Sequence, residues 1–171
     1  MPISRPGAGS GSGASDIFLS VQTKRAGRVK GEALAPGHEN DIQIHSWRWT
    51  VQASSAIASS AATARRSYSG VTVVKSIDSA STALLSALAT NDEVKEAVLT
   101  MRKSGEGAVD YFLLTLKEAR VTHVEHDVAD DGDAREVVTF AFRKVEVDYR
   151  RQEAGGDRGA SHVFSDEIFP T

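Results

Sequence analysis

A chain of 171 residues is long enough to form one domain with a sizeable core. Its hydrophobic fraction of 40% and charged fraction of 25% are ordinary for a globular protein, and a net charge of −3 supplies no basic field to draw nucleic acid. The lack of cysteine excludes disulfides, thiolate metal sites and a cysteine nucleophile, and no apolar run approaches the roughly 20 residues of a membrane span.

Residues 1–15 are rich in Gly, Ser and Ala and read as a flexible leader without the apolar stretch of a secretory signal. Gly7, Gly9, Gly11 and Gly13 imitate a phosphate-cradling loop, but no strand precedes them. Residues 16–169 read as one domain. Asp16–Val21 is a strand, followed by a polar stretch that reads as loop. Ile42–Ala53 is a second strand whose phase changes: Ile42 and Ile44 have one parity, Trp47, Trp49 and Val51 the other. A bulge near His45–Ser46, or burial on both faces, reconciles the two halves. Trp47 and Trp49 then belong to the core, and Arg48 points outward.

Residues 53–69 are mostly Ala, Ser and Thr, end in Arg65 and Arg66, and read as a long surface loop, a length that calls for a task. Gly70–Ile77 is a third strand. A short helix follows, capped by Ser81, with Leu84, Leu85 and Leu88 on one face and Asn91 as a left-handed stop; Leu84 and Leu88 are assigned to the core. Three strands come next: Val94–Lys103, Val109–Val124 and Glu136–Arg150. In the last, Val138, Phe140 and Phe142 share a face, whereas Val145, Val147 and Tyr149 take the opposite parity, so an extra residue is expected near Arg143–Lys144. Phe140 and Phe142 are assigned to the core. Residues 162–171 supply a final strand. Six or more strands with one short helix predict a closed or nearly closed β-barrel.

In 109–122, Tyr111 and Leu113 face one way while Phe112, Leu114 and Leu116 face the other. A small all-β domain has one interior, so the second apolar face needs another cover, and a neighbouring copy of the chain is the preferred one. No chemistry competes with this. His123 and His126, three apart on a strand, diverge; His38 and His45 form no close pair; the histidines are expected at the surface rather than on a metal. The acidic stretch 125–133 lacks the twelfth-position carboxylate of a calcium loop and reads as a hairpin tip. Its crowded carboxylates are not a glycosidase pair, no serine sits in a nucleophile elbow, and Trp47-Arg48-Trp49 lacks the basic surroundings of a nucleic-acid platform. No cofactor is expected. A monomeric barrel enzyme or ligand binder is the rival from another class.

Several blocks in order resemble the Hcp family, the tube proteins of bacterial type VI secretion: DIFLSV at 16–21, KGE at 30–32, HSWRW at 45–49, KSID at 75–78, EAVLTMRKSG at 96–105, YFLLTLKEARVTHV at 111–124 and VTFAFRKVEVDYR at 138–150. The resemblance implies a mainly β protein, an antiparallel barrel of two sheets with one short helix. It also implies a homohexameric ring that stacks into a tube, driven by a contractile sheath beneath a spike, carrying small effector proteins in its lumen. Such a protein is not an enzyme, inserts into no membrane, assembles in the cytoplasm and leaves the cell without a cleaved signal peptide. A tube protein of a related machine, a phage tail or an extracellular injection particle, fits the same strands. Tyr111, Leu113, Arg65 and Arg66 are the expected subunit or ring contacts, with acidic partners for the two arginines on a neighbour, and Arg48 faces either the lumen or a contact. In four places the chain departs from the family: the leader is longer, residues 22–41 are expanded, the loop at 53–69 lacks a dense glycine run, and Asp166 stands where relatives often have an aromatic.

Overall fold

The computed structural model describes residues 15–54, 65–104, 108–152 and 158–169. The leader and most of the Ala/Ser stretch lie outside them.

Strand β1 (Ser15–Thr23) turns into the short β2 (Gly27–Val29), which pairs back along Val21–Thr23. The second expected strand is three short ones. β3 (Ile42–Ile44) pairs with β1, β4 (Ser46–Arg48) pairs with β7 (Val71–Ser76), and β5 (Val51–Ala53) pairs only with β6 (Arg66–Tyr68). The change of phase at His45–Ser46 is therefore a transfer between sheets rather than a bulge within one.

After the helix α1 (Ser81–Ala89) come β8 (Val94–Lys103), the 19-residue β9 (Asp110–Val128), β10 (Ala134–Ala141), β11 (Lys144–Gln152) and β12 (Arg158–Glu167). All pairings are antiparallel. Sheet one runs β1–β8–β9–β11–β12, with β2 and β3 sharing the outer edge of β1; sheet two runs β4–β7–β10–β9. β9 belongs to both. Its residues 112–117 pair with β11 and its residues 120–128 with β10. Between them Glu118 takes φ +49°, a left-handed kink that a non-glycine residue adopts at a cost. Arg143 and Lys144 both reach the Glu118 carboxylate, at 3.6 and 3.5 Å, so the break between β10 and β11 sits at the same corner. The parity change near Arg143–Lys144 is again a change of sheet.

The kink inverts which parity faces the core: Leu114 and Leu116 point inward before it, Ala119 and Val121 after it. Their partners include Val21, Ile42, Ile44, Val73, Val138 and Phe140, with Leu84 and Ala87 from the helix. The barrel is incomplete. Among the described residues, one seam is joined by the covalent crossing from β3 to β4, tied by the His45 N–H donating to the Val74 carbonyl at 2.8 Å.

Two helix assignments are corrected. Leu88 is 36% exposed and lies outside the core, because the helix meets the barrel through the narrow stripe Ala80, Leu84 and Ala87. Ser81 is not the cap but the first helical residue; Ala80 holds the cap position, its N–H donating to the Asp78 carboxylate at 3.0 Å. The stop at Asn91 is left-handed as expected, with φ +52°. The tryptophans need a correction too. Trp47 and Trp49 are only half-buried and pack against the edge of the core, because the strand carrying them runs out along the seam. Phe142 is half-buried beside Trp49, whereas Phe140 is fully enclosed.

Candidate assembly surface

Sheet one is wider than sheet two, and this decides what it leaves open. Across β9, β11 and β12 the inward-facing rows are Phe112–Tyr149–His162, Leu114–Val147–Phe164 and Leu116–Val145–Asp166. Leu116 and Val145 are sealed, but outward along the flare Phe112 and Val147 are half-buried, and Tyr149 and Phe164 are 45% and 49% exposed. Trp47 from the seam lies against Phe112, ring centroids 5.6 Å apart. On the other face, Leu113 and Tyr111 are half-exposed, and Val163, two strands from Leu113 in the same row, is 60% exposed. The apolar flare is thus a patch on the inward-facing side, larger than the pair Tyr111 and Leu113 that the sequence singles out; on the other face Leu113 and Val163 flank Asp148, whose carboxylate accepts from Arg150 and Ser161. Next to it, a recess of about 500 Å³ lined by Lys117, Lys144, Glu146, Asp166 and Glu167 mixes charges of both signs, a hydrated surface rather than an apolar ligand pocket.

The β5–β6 ribbon is a separate two-stranded sheet, so other contacts must hold it, because such hairpins are marginal alone. Tyr68 stacks on Trp49 at 5.8 Å and meets Phe142 edge-on at 6.0 Å. Its hydroxyl donates to Asp166, which also accepts from Arg66 Nε at 2.5 Å and from its second guanidinium nitrogen at 3.0 Å. Those bonds from Arg66 and Tyr68 hold the Asp166 carboxyl below its ordinary value. Burial, with Asp166 adding to it, pushes the Tyr68 phenol up. Arg66 therefore has its acidic partner in its own chain rather than on a neighbour, which revises the expectation for that residue. Arg65 and Arg48 are exposed. Trp49 Nε1 is buried and has no acceptor among the described residues.

Residues 30–41 fold over the outer face of β1, where Phe18 would otherwise be bare. Gly31 approaches Asp41 so closely that a Cβ would stand 2.4 Å from its carbonyl oxygen. His38 is 8% exposed, its ring stacked on Phe18 at 4.4 Å, with Asp41 and Asp110 at its two nitrogens. The expectation of surface histidines fails here, because the partners come from segments far apart in sequence. Exposed His45 and His123 fit it, and half-exposed His126 reaches inward to Glu136.

At the other end of the barrel Lys75 and Glu136 are cross-strand partners, both fully buried beneath the start of the helix. Lys75 Nζ donates to Glu136 at 2.6 Å, Asp78 at 2.8 Å and Ser81 at 3.3 Å; Ser81 donates to Glu136 at 3.1 Å. Burial raises the Glu136 carboxyl, but Lys75 and His126 outweigh it and leave it below its usual value. Asp110 behaves likewise, burial opposed by Arg102 and His38. A carboxylate lowered on folding adds stability that is present above its unfolded pKa and is lost as pH falls through the folded value. Urea unfolding followed from neutral pH downward should therefore show a plateau above about pH 5 and a decline below about pH 4. Asp110→Asn should flatten that decline.

Comparison with known proteins gives these features a context. The model of a family described as "Type VI secretion system effector, Hcp" matches residues 18–149. The chain belongs to the Hcp family. The Pseudomonas aeruginosa protein Hcp1 is 30% identical over 154 residues, covering 88% of this chain and 92% of that one. The crystal structure of Hcp1 from Salmonella typhimurium is 26% identical, with a TM-score of 0.72 over 90% of this chain and 95% of that one. A mutant Hcp1 from Escherichia coli, at 21% identity, shares the fold with a TM-score of 0.75 over 91% of this chain and 100% of that one. Hcp proteins are secreted tube proteins of type VI systems, not an enzyme family. Among the described residues no group of three or more His, Asp or Glu side chains converges as a metal site, and no helix is long and apolar enough to cross a membrane.

For an Hcp chain the residues of interest are those left uncovered. The sequence singles out Tyr111 and Leu113, whereas Tyr149, Val163 and Phe164 are more exposed than either. The alternation of the final strand was visible; that it lies outside the barrel was not.

Proposed function

We propose that this chain is the subunit of a homohexameric ring that stacks into the inner tube of a type VI secretion system and is exported with small effector proteins in its lumen. Residues 16–169 act as its single structural unit, assembled in the cytoplasm and released without a cleaved signal, with sheath and spike proteins as partners. The observation that carries this reading is the apolar flare. Tyr149 and Phe164 on one side and Val163 on the other stand exposed among the described residues, with Phe112, Val147 and Leu113 partly buried beside them. A ring uses heterologous contacts, one surface of each subunit meeting a different surface of the next. Durable contacts of this kind hide about 2,000 Å² or more and are relatively apolar. Tyr111 and Leu113 are assigned to the subunit contact, Arg65 at the foot of the ribbon to the contact between rings. Arg66 acts within the chain, setting the ribbon's angle through Asp166. Arg48 is assigned to the lumen or to a contact.

The test is the mass of the purified full chain by light scattering behind size exclusion, with negative-stain images of the same sample. Six copies in doughnut-shaped particles are expected. A stable single copy at high concentration refutes the proposal.

A further inference from the structure

We propose that residues 30–41 form a strap fastened to sheet one by a doubly protonated His38, and that loss of one ring proton to solvent undoes the fastening. The geometry points to two ring protons because each ring nitrogen faces a carboxylate. Nδ1 lies 2.8 Å from Asp41 Oδ2, and Nε2 lies 3.1 and 3.2 Å from the two oxygens of Asp110. An ionised carboxylate only accepts, and a neutral imidazole has one N–H and one lone pair, so it can satisfy one of these contacts and not both. Each carboxylate has its own cation. Arg28 from β2 donates to Asp41 at 2.9 Å, and Arg102 from β8 donates to Asp110 at 2.8 Å.

The charges therefore alternate along a chain: Arg28, Asp41, His38, Asp110, Arg102. Two further carboxylates belong to the surroundings. Glu39 is exposed but within electrostatic reach of His38 and Arg102, and Asp16 is the cross-strand neighbour of Arg102. The ring cannot turn away, because one face lies flat on Phe18, the interplanar angle being 7°. Removing one proton would press a lone pair against a carboxylate oxygen in a site with little water, a costly arrangement.

The remaining fastenings are few. Arg102 donates to the Pro36 carbonyl at 2.7 Å, Arg28 donates to the Glu39 carbonyl at 2.9 Å, and Ser79 bonds to Lys30 and Glu32 at 3.0 Å each; the other backbone bonds lie within the strap. Detachment bares Phe18 on the outer face of sheet one, two strands from Leu113. A surface that changes with pH then lies close to residues assigned to the subunit contact, although the strap's chemistry does not depend on that assignment.

Amide exchange of the full chain tests this. The N–H groups of Gly31, Ala33, His38, Asn40 and Asp41 are all bonded within the strap. After correction for intrinsic rates, their protection should be at least about tenfold lower at about pH 8.5 than at about pH 6, the worth of one charge-assisted hydrogen bond, while β8 and β9 do not change. In His38→Gln the strap's protection should no longer depend on pH. Equal protection of the wild-type strap at both pH values, or the same dependence in His38→Gln, overturns the proposal. Should that variant not fold, ¹⁵N signals of the His38 ring in the wild type decide: two protonated nitrogens at about pH 6 support the strap, and a single neutral tautomer there refutes it.

Discussion

Replacing Glu136 with leucine is expected to destabilise the protein by about 3–5 kcal/mol, because it leaves the Lys75 ammonium buried without its main partner. For a chain of this size the melting temperature falls on the order of 10 °C. Lys75 and Glu136 are both fully enclosed, and Ser81 and Asp78 complete the polar cluster that seats the helix. The double variant Lys75→Met with Glu136→Leu should recover most of the loss, since a buried ion pair exchanged for apolar side chains of similar volume is often neutral or better. Urea unfolding of the two single variants and the double variant measures the coupling directly. A loss in the double variant equal to the sum of the two single losses would show that the pair contributes nothing as a pair.

The second large effect concerns assembly. Phe164→Asp places a charge in the middle of the flare, and a central apolar contact is worth about 2 kcal/mol or more per interface. Each contact then weakens about thirtyfold or more, and the penalty recurs around the ring, so the variant should elute as a single copy. Leu85→Asp, on the exposed side of the helix, is the control and should leave the mass unchanged. A ring retained by Phe164→Asp moves the contact elsewhere on the molecule.

Much of the architecture was legible in the strand patterns. The two parity changes were visible in the sequence, and the structure places a sheet transfer at each. Their meaning was not visible, because a period of two says which way a side chain points and not which strand lies beside it. The buried pair left a trace: Lys75 has the parity of Val71 and Val73, and Glu136 that of Val138 and Phe140, so opposite charges at inward positions on two strands were there to be read. The strap left none, since Asp110 lies 72 residues from His38 and nothing local foretells their meeting. The same distance effect explains Arg66, whose partner Asp166 is 100 residues away. Leu88 failed for another reason. Helical spacing identifies an apolar stripe, but the width of the stripe that is covered depends on the neighbour.

The strand shared by both sheets has a consequence for how the molecule is made. β9 pairs along one edge with β8, which precedes it, and along the other with β10 and then β11, which follow it. Sheet two cannot be finished before β10 has been made to residue 141, nor sheet one before β12 has been made to residue 167. The pairing of β1 with β8 joins segments distant in sequence and is slow to form, so closure comes late in synthesis and leaves apolar strands exposed until then. Once formed, removing this one strand dissolves both halves together, which favours a subunit that is either whole or unravelled, with no stable half-open form between.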